Sequence, residues 1–263
     1  MPLLLTLSLT IFSKVINKMV SDISGIPGSG KNVYATYLGK KHFKHQNNII
    51  RKIIRKIKHE PTILNNVYST YPILLKKYPK RSKHKSIYSK KVTIYDLIPD
   101  NRFENHACII IDEAQAFYDS EEHKIFPKEI ATFNQFHRHF GIDNIYYITQ
   151  HPSRLLKKLC VLASQFIKVK KFIKIPILNI GIMHLVYYYE RDDYGKYNHP
   201  KKEAKNYDVK NKFRIFRTKP IFKAYDSKYL RVLNEDKPLY DKGEFDSLSL
   251  SEYDIKLIYR DKL

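Results

Sequence analysis

The sequence predicts an α/β fold: a mostly parallel central sheet flanked by helices, continued by a β-rich C-terminal extension. Three observations predict it. A glycine-rich turn, Gly25-Ile26-Pro27-Gly28-Ser29-Gly30-Lys31, lies between a short apolar run and a helix-compatible stretch. An unbroken apolar run at 107–111 ends in Asp112-Glu113. Elsewhere short apolar runs alternate with amphipathic stretches, the pattern of strands covered by helices. At 263 residues, 43% hydrophobic and 28% charged, the chain can bury one large α/β core and is not a disordered segment.

Along the chain, 19–23 reads as a first strand feeding the glycine turn. Residues 31–45 read as a helix with Val33, Tyr37, Leu38 and Phe43 on one side. Pro61 breaks the chain before a strand at 62–68. Residues 107–111 are a buried strand, and Pro127 suits the first turn of a helix over 128–139, which Gly141 ends. Strands follow at 145–149 and 165–171, with a helix at 155–163 between them. From Phe172 the texture turns tyrosine-rich and β-like, with Gly181 and Asp192-Asp193 as turn candidates. The organisation predicted is an apolar N-terminal extension (1–18), a nucleotide-binding core (19–171) with a basic insertion at about 74–91, and an extension with a polar tail (172–263). No internal repeat is visible.

The net charge is +22, from 48 Lys+Arg against 26 Asp+Glu, which favours a polyanionic partner, although Lys-, Ile-, Asn- and Tyr-rich compositional bias accounts for it equally simply. Lys76, Lys77, Lys80, Arg81, Lys83 and Lys85 cluster with Tyr78 and Tyr88 in a stretch without acids. This is either a solvated insertion or a surface that tracks a single-stranded DNA backbone. Two separated cysteines make no disulfide framework, and the sparse His/Cys set, with His42 and His45 read as surface residues, makes no zinc site. Residues 2–12 (PLLLTLSLTIF) are apolar but about half the length of a membrane span.

The chemistry lies in two motifs. Residues 25–32, G-I-P-G-S-G-K-N, fit the phosphate-binding pattern G-x-x-x-x-G-K-[ST] up to the last position. Gly25, Pro27, Gly28, Ser29 and Gly30 shape a loop whose backbone N–H groups face phosphates, and Lys31 reaches the β- and γ-phosphates of ATP. Asn32 stands where a hydroxyl normally meets Mg²⁺; its carbonyl oxygen is a possible ligand of different reach, so binding is better supported than hydrolysis. In the second motif the first acid, Asp112, holds Mg²⁺ and the second, Glu113, polarises the attacking water. Gln150, ending the strand at 145–149, can orient water or sense the γ-phosphate, or be only a strand-ending polar residue. Arg138, in His137-Arg138-His139, reads by itself as a solvated helix terminus.

With GIPGSGKN at 25–32, IIIDEAQAFY at 109–118, HRHFGIDNIYYITQHPS at 137–153 and, more loosely, KPIFKAYDS at 219–227, the chain resembles the zonular occludens toxin (Zot)-like family. These are assembly and export ATPases of filamentous phages, similar to the FtsK–HerA group of DNA-pumping ATPases. The resemblance implies a P-loop ATPase using ATP and Mg²⁺, with Lys31 on the phosphates, Asp112 on the metal, Glu113 as base, Gln150 as sensor and Arg138 as a finger acting on a neighbouring subunit. It further implies extrusion or packaging of single-stranded DNA by a homo-oligomeric ring, with phage coat or membrane assembly proteins as partners, in the host cytoplasm or at the inner face of its membrane. Members commonly continue into a membrane-spanning helix and an outer domain. Neither is expected in these 263 residues, which leaves residues 2–12 or partner proteins as routes to a membrane. A nucleotide-gated scaffold with little turnover and a replication helicase are the rival readings.

Overall fold

The computed structural model describes residues 19–79, 81–93, 96–99, 103–116, 128–151, 159, 162–188 and 209–225. In chain order these form β1 (Met19–Ser24), α1 (Lys31–Gln46), α2 (Ile49–Ile57), β2 (Val67–Ser69), β3 (Leu74–Lys76), β4 (Ile87–Tyr88), β5 (Lys90–Lys91), β6 (Ala107–Ile111), α3 (Lys128–Phe136), β7 (Ile142–Thr149), β8 (Gln165–Ile175), β9 (Ile180–Tyr188), β10 (Val209–Arg217) and α4 (Thr218–Phe222). One eight-stranded sheet runs in the order β10-β9-β8-β1-β7-β6-β2-β5, and β3 and β4 form a separate ribbon. The strands from β8 to β5 are parallel; β9 is antiparallel to both its neighbours.

The central parallel strands β1, β6 and β7 are buried on both faces, and β6 accordingly runs apolar without alternation. Val20, Ile109, Ile111, Ile145 and Tyr147 face α3 through Ile130 and Phe133. Ile23, Cys108, Ile110 and Ile148 face α1 through Val33, Tyr34, Ala35 and Phe43. Gly39 lets α1 sit close to the sheet, since a Cβ there would stand 3.0 Å from Ile110 Cδ1.

Several elements differ from expectation for identifiable reasons. The strand expected at 62–68 is reduced to Val67–Ser69. The Asn47 side chain accepts from Leu64 N at 2.9 Å and donates to Leu64 O at 2.9 Å, which takes that backbone away from the sheet. The strand β7 begins at Ile142, three residues early, because Asp143 and Asn144 are buried polar residues inside it. The α3 helix stops at Phe136; residues 137–141 form a turn in which Phe140 N donates to His137 O and Gly141 N to Arg138 O. Gly181 lies inside β9, and the turn is made at Pro176–Asn179, where Asn179 adopts φ 52°. A Cβ at Gly181 would lie 2.6 Å from Phe172 Cε2, so close approach explains the glycine. The strand β8 passes from 171 to 175 without a break, joining the β-rich extension to the core in one sheet. His42 is buried, its Nε2 2.7 Å from His106 O, and burial pushes its pKa down to about 4. Of the helix expected at 155–163 only Leu159, Leu162 and Ala163 fall among the described residues, and the Asp192-Asp193 turn falls outside them. Residues 2–12 and Lys80 also lie outside them. Among the described residues, no helix is long and apolar enough to cross a membrane.

Candidate nucleotide-binding site

The loop after β1, the ends of β6 and β7, and the first turn of α1 converge at the C-terminal edge of the parallel strands, where α/β sheets bind ligands. Gly25 is buried, and any Cβ there would meet Val169 O at 2.6 Å and Ser29 Oγ at 2.7 Å. Pro27 and Gly28 form the exposed crest, with Gly28 at φ 78°. Gly30 holds φ 95° at the helix N-cap, a left-handed conformation that suits glycine, and a Cβ there would stand 2.9 Å from Phe172 Cβ. Ser29 is buried with its hydroxyl unpartnered, and its backbone N–H closes the turn onto Ile26 O at 3.1 Å.

Lys31 is 7% exposed and donates through Nζ to Gly25 O at 2.7 Å, so the amine is folded back across its own loop. Burial lowers its pKa, while Glu113, Asp112 and Asp22 pull it back up. Asn32 Nδ2 donates to Asp112 Oδ2 at 2.6 Å; an ionised carboxylate can only accept, so the amide must present its NH₂ there. The Asp112 backbone N donates to Thr70 Oγ1 at 2.9 Å, and Glu113 N donates to Asp112 Oδ1 at 2.9 Å. Burial first, then the neighbouring Glu113, raises the Asp112 pKa to about 6.

Glu113 turns off the strand at φ 48°, and Oε2 accepts from Gln150 Nε2 at 3.4 Å and from Gln115 Nε2. The neighbouring strands β6 and β7 therefore bring Gln150 to the acid pair. Arg138 is exposed at the other end: Gly141, which follows it, hydrogen-bonds through its carbonyl to Ala107 N at the start of β6. The eight residues of β7 put roughly 25 Å of strand between that turn and Gln150 at ~3.3 Å per residue. Lys31, Asn32, Asp112, Glu113 and Gln150 are thus together, and Arg138 is apart from them within one subunit.

Of the basic insertion, Lys77, Arg81, Lys83 and Lys85 are exposed. Lys76 is half-buried, donates to the Tyr78 hydroxyl at 2.6 Å and lies over its ring, whose other neighbour is His84. Tyr78 is therefore occupied within the insertion itself.

Sequence reading missed Gln115, Thr70 and Asp22. Asp22 is fully buried in β1, accepts from Thr149 Oγ1 at 2.8 Å through Oδ1, and leaves Oδ2 unpartnered. Burial raises its pKa to about 7 against the opposing pull of Thr149 and Lys31. The signal was available: an acid in the middle of an otherwise buried strand, MVSDIS.

No curated protein sequence matches the chain. Among solved structures, the N-terminal domain of zonular occludens toxin from Neisseria meningitidis is 19% identical with a TM-score of 0.46, covering 79% of this chain and 98% of that one. The genome packaging NTPase B204 of Sulfolobus turreted icosahedral virus 2, in complex with ATP-γS, is 12% identical with a TM-score of 0.36, covering 75% and 98%. The DNA-packaging ATPase B204 of Sulfolobus turreted icosahedral virus is 15% identical with a TM-score of 0.36, covering 74% and 98%. The family model for zonular occludens toxin (Zot) matches residues 19–229, which is most of the chain and includes every residue of the site. By that match the chain belongs to the zonular occludens toxin (Zot) family.

Proposed function

We propose that this protein is an ATPase that uses hydrolysis to move single-stranded DNA during packaging or extrusion of a filamentous-type phage particle. The observation that carries the reading is the convergence of Lys31, Asp112, Glu113 and Gln150 on one glycine loop. ATP phosphates would lie along the backbone N–H groups of 28–31 at the positive end of α1. Lys31 would leave the Gly25 carbonyl for a phosphate oxygen. Glu113 would accept a proton from the attacking water, which Gln150 would help hold.

The donor set fits Mg²⁺. It is all oxygen, and Asp112, whose pKa is raised to about 6 by burial first and then by the neighbouring Glu113, is a carboxylate that a divalent cation would stabilise in its charged form. Asp112 would hold the ion and Asn32 could turn its amide oxygen toward it. When bound, the ion would shield the β- and γ-phosphate charge. Arg138 would act only across a subunit boundary, as in a ring, and Lys76, Lys77, Lys80, Arg81, Lys83 and Lys85 would track the DNA backbone at the host cytoplasmic face. The test measures phosphate release with and without single-stranded DNA. Lys31→Ala should lose nucleotide binding, and Glu113→Gln should bind but not turn over; full activity in both would refute the site.

One observation favours a second reading, a nucleotide-gated scaffold with little turnover: Asn32 Nδ2 occupies Asp112 Oδ2. Asn32→Thr frees that oxygen and supplies a hydroxyl. A rise in turnover of about tenfold or more, from a wild type that binds ATP but scarcely hydrolyses it, would favour the scaffold.

A further inference from the structure

Helix α2 has an inverted arrangement. Its sequence, IIRKIIRKI, places Ile49, Ile50, Ile53 and Ile57 within an arc of about 100° at 100° per residue. A helix packed on a domain normally turns such a stripe inward. Here the four isoleucines are 75%, 43%, 56% and 72% exposed, whereas Arg55 is only 8% exposed. The arginine face docks the helix: Arg55 Nη1 donates to Gln46 O at 2.7 Å, and Arg51 Nη1 donates to Gln46 Oε1. Asn48 caps the first turn by accepting from Arg51 N at 2.8 Å. The helix is thus held firmly with its apolar side turned away from the core.

Its surroundings are cationic. Lys52 and Lys56 border the stripe on one side and Lys58 follows it, and no acid occurs from 31 to 59. The position in the fold matters as well. Gln46 Nε2 donates to Asp143 Oδ2 at 3.3 Å, and the next residue, Asn144, pairs with Met19, where the chain enters β1. The apolar run 2–12 therefore precedes a strand that starts beside the base of α2, at the sheet end opposite the glycine loop.

We propose that α2 is an interfacial anchor that lays its isoleucine stripe on an anionic lipid surface. Exposed aliphatic side chains bordered by lysines, on a helix lying along the protein, are what such a surface binds. The inverted stripe is small: nine residues make a helix about 14 Å long. At a helix width of about 10 Å that face offers on the order of 150 Å², far below the ~800 Å² per partner of a stable protein interface, so lipid is the better occupant than a second copy. Single-stranded DNA would use the lysines but leave the isoleucines in water. The proposal does not rest on the nucleotide reading.

The full chain is tested by flotation with phosphatidylcholine vesicles with and without phosphatidylglycerol. Wild type should float with the anionic vesicles only, and less so at high salt. Ile53→Ser with Ile57→Ser should lower partitioning by about tenfold or more, since both side chains are exposed and folding is not at stake. Lys52→Glu with Lys56→Glu should lower it several-fold. The chain has no tryptophan, so Ile53→Trp gives a single reporter whose emission should shift to the blue on anionic vesicles. Nucleotide affinity and any DNA-stimulated turnover should be unchanged in all variants, which separates this proposal from the ATPase assignment. Undiminished flotation of the double serine variant would overturn it and move the anchor to residues 2–12. Absence of wild-type flotation, a dimer that the serine variant dissolves, or a blue shift with DNA alone would each overturn it too.

Discussion

Asp22→Asn should make the protein more stable above neutral pH and leave it unchanged in acid. In the folded chain burial raises the Asp22 carboxyl from 3.8 to about 7. A raised acid pKa means that the folded state holds its proton more tightly than the unfolded chain does. Stability therefore falls as pH rises from about 4, and the loss is complete above about 7. At about 1.4 kcal/mol per decade of affinity, the full penalty is on the order of 4 kcal/mol. The asparagine amide replaces the protonated carboxyl nearly atom for atom. Its carbonyl can still accept from Thr149 Oγ1, while the second polar atom is unpartnered in either form. The variant should gain about 2–4 kcal/mol at pH 8, or roughly 5–10 °C in Tm for a chain of this size, and little at pH 4.5. Thermal melts and urea midpoints across pH 4.5–8.5 measure this. Parallel stability curves for wild type and variant would show that Asp22 is not ionised at the cost of burial, and the argument would fail.

Mg²⁺-dependent ATP affinity should fall as pH drops through about 6, where Asp112 gains a proton, by up to about tenfold per pH unit below it; titration calorimetry showing constant affinity from pH 7 to 5 would refute the assignment. Gln150→Ala should lower turnover by about ten- to a hundredfold with nucleotide affinity nearly unchanged, because its amide reaches Glu113 and not the glycine loop; steady-state kinetics separates the two. Gly39→Val should cost about 1–3 kcal/mol in urea unfolding, since even one added carbon would stand 3.0 Å from Ile110 Cδ1 and 3.4 Å from Val67 Cγ1.

The site was more legible in the sequence than its surroundings were. The glycine spacing, Lys31 and the acid pair are local patterns with a direct chemical reading, and β6 was read to the residue because nothing polar interrupts it. The adjacency of Gln150 to Glu113 followed from strands ending in polar residues. What stayed hidden depends on contacts distant in sequence. Asp143 and Asn144 looked like a loop until Gln46 and His106 were brought to Asp143. Asn47 unpairs 62–66 by gripping Leu64, which no propensity records. Helix α2 went unread because its lysines and arginines hide a stripe that faces the wrong way for a core. The orientation of the Asn32 amide is likewise a property of the pair and not of either residue.

The last glycine of the loop has a consequence beyond fitting phosphate. Gly30 has no side chain, and a Cβ there would lie only 2.9 Å from the Cβ of Phe172, on the strand that leads into the β8–β9 hairpin. Phe172 in turn stacks on Phe216 of β10, 5.9 Å between centroids, and lies against Phe222 of α4. The loop and the outer strands of the sheet thus share one aromatic side chain, so a side chain added at Gly30 would have to displace Phe172 from its stack on Phe216 as well as strain the loop.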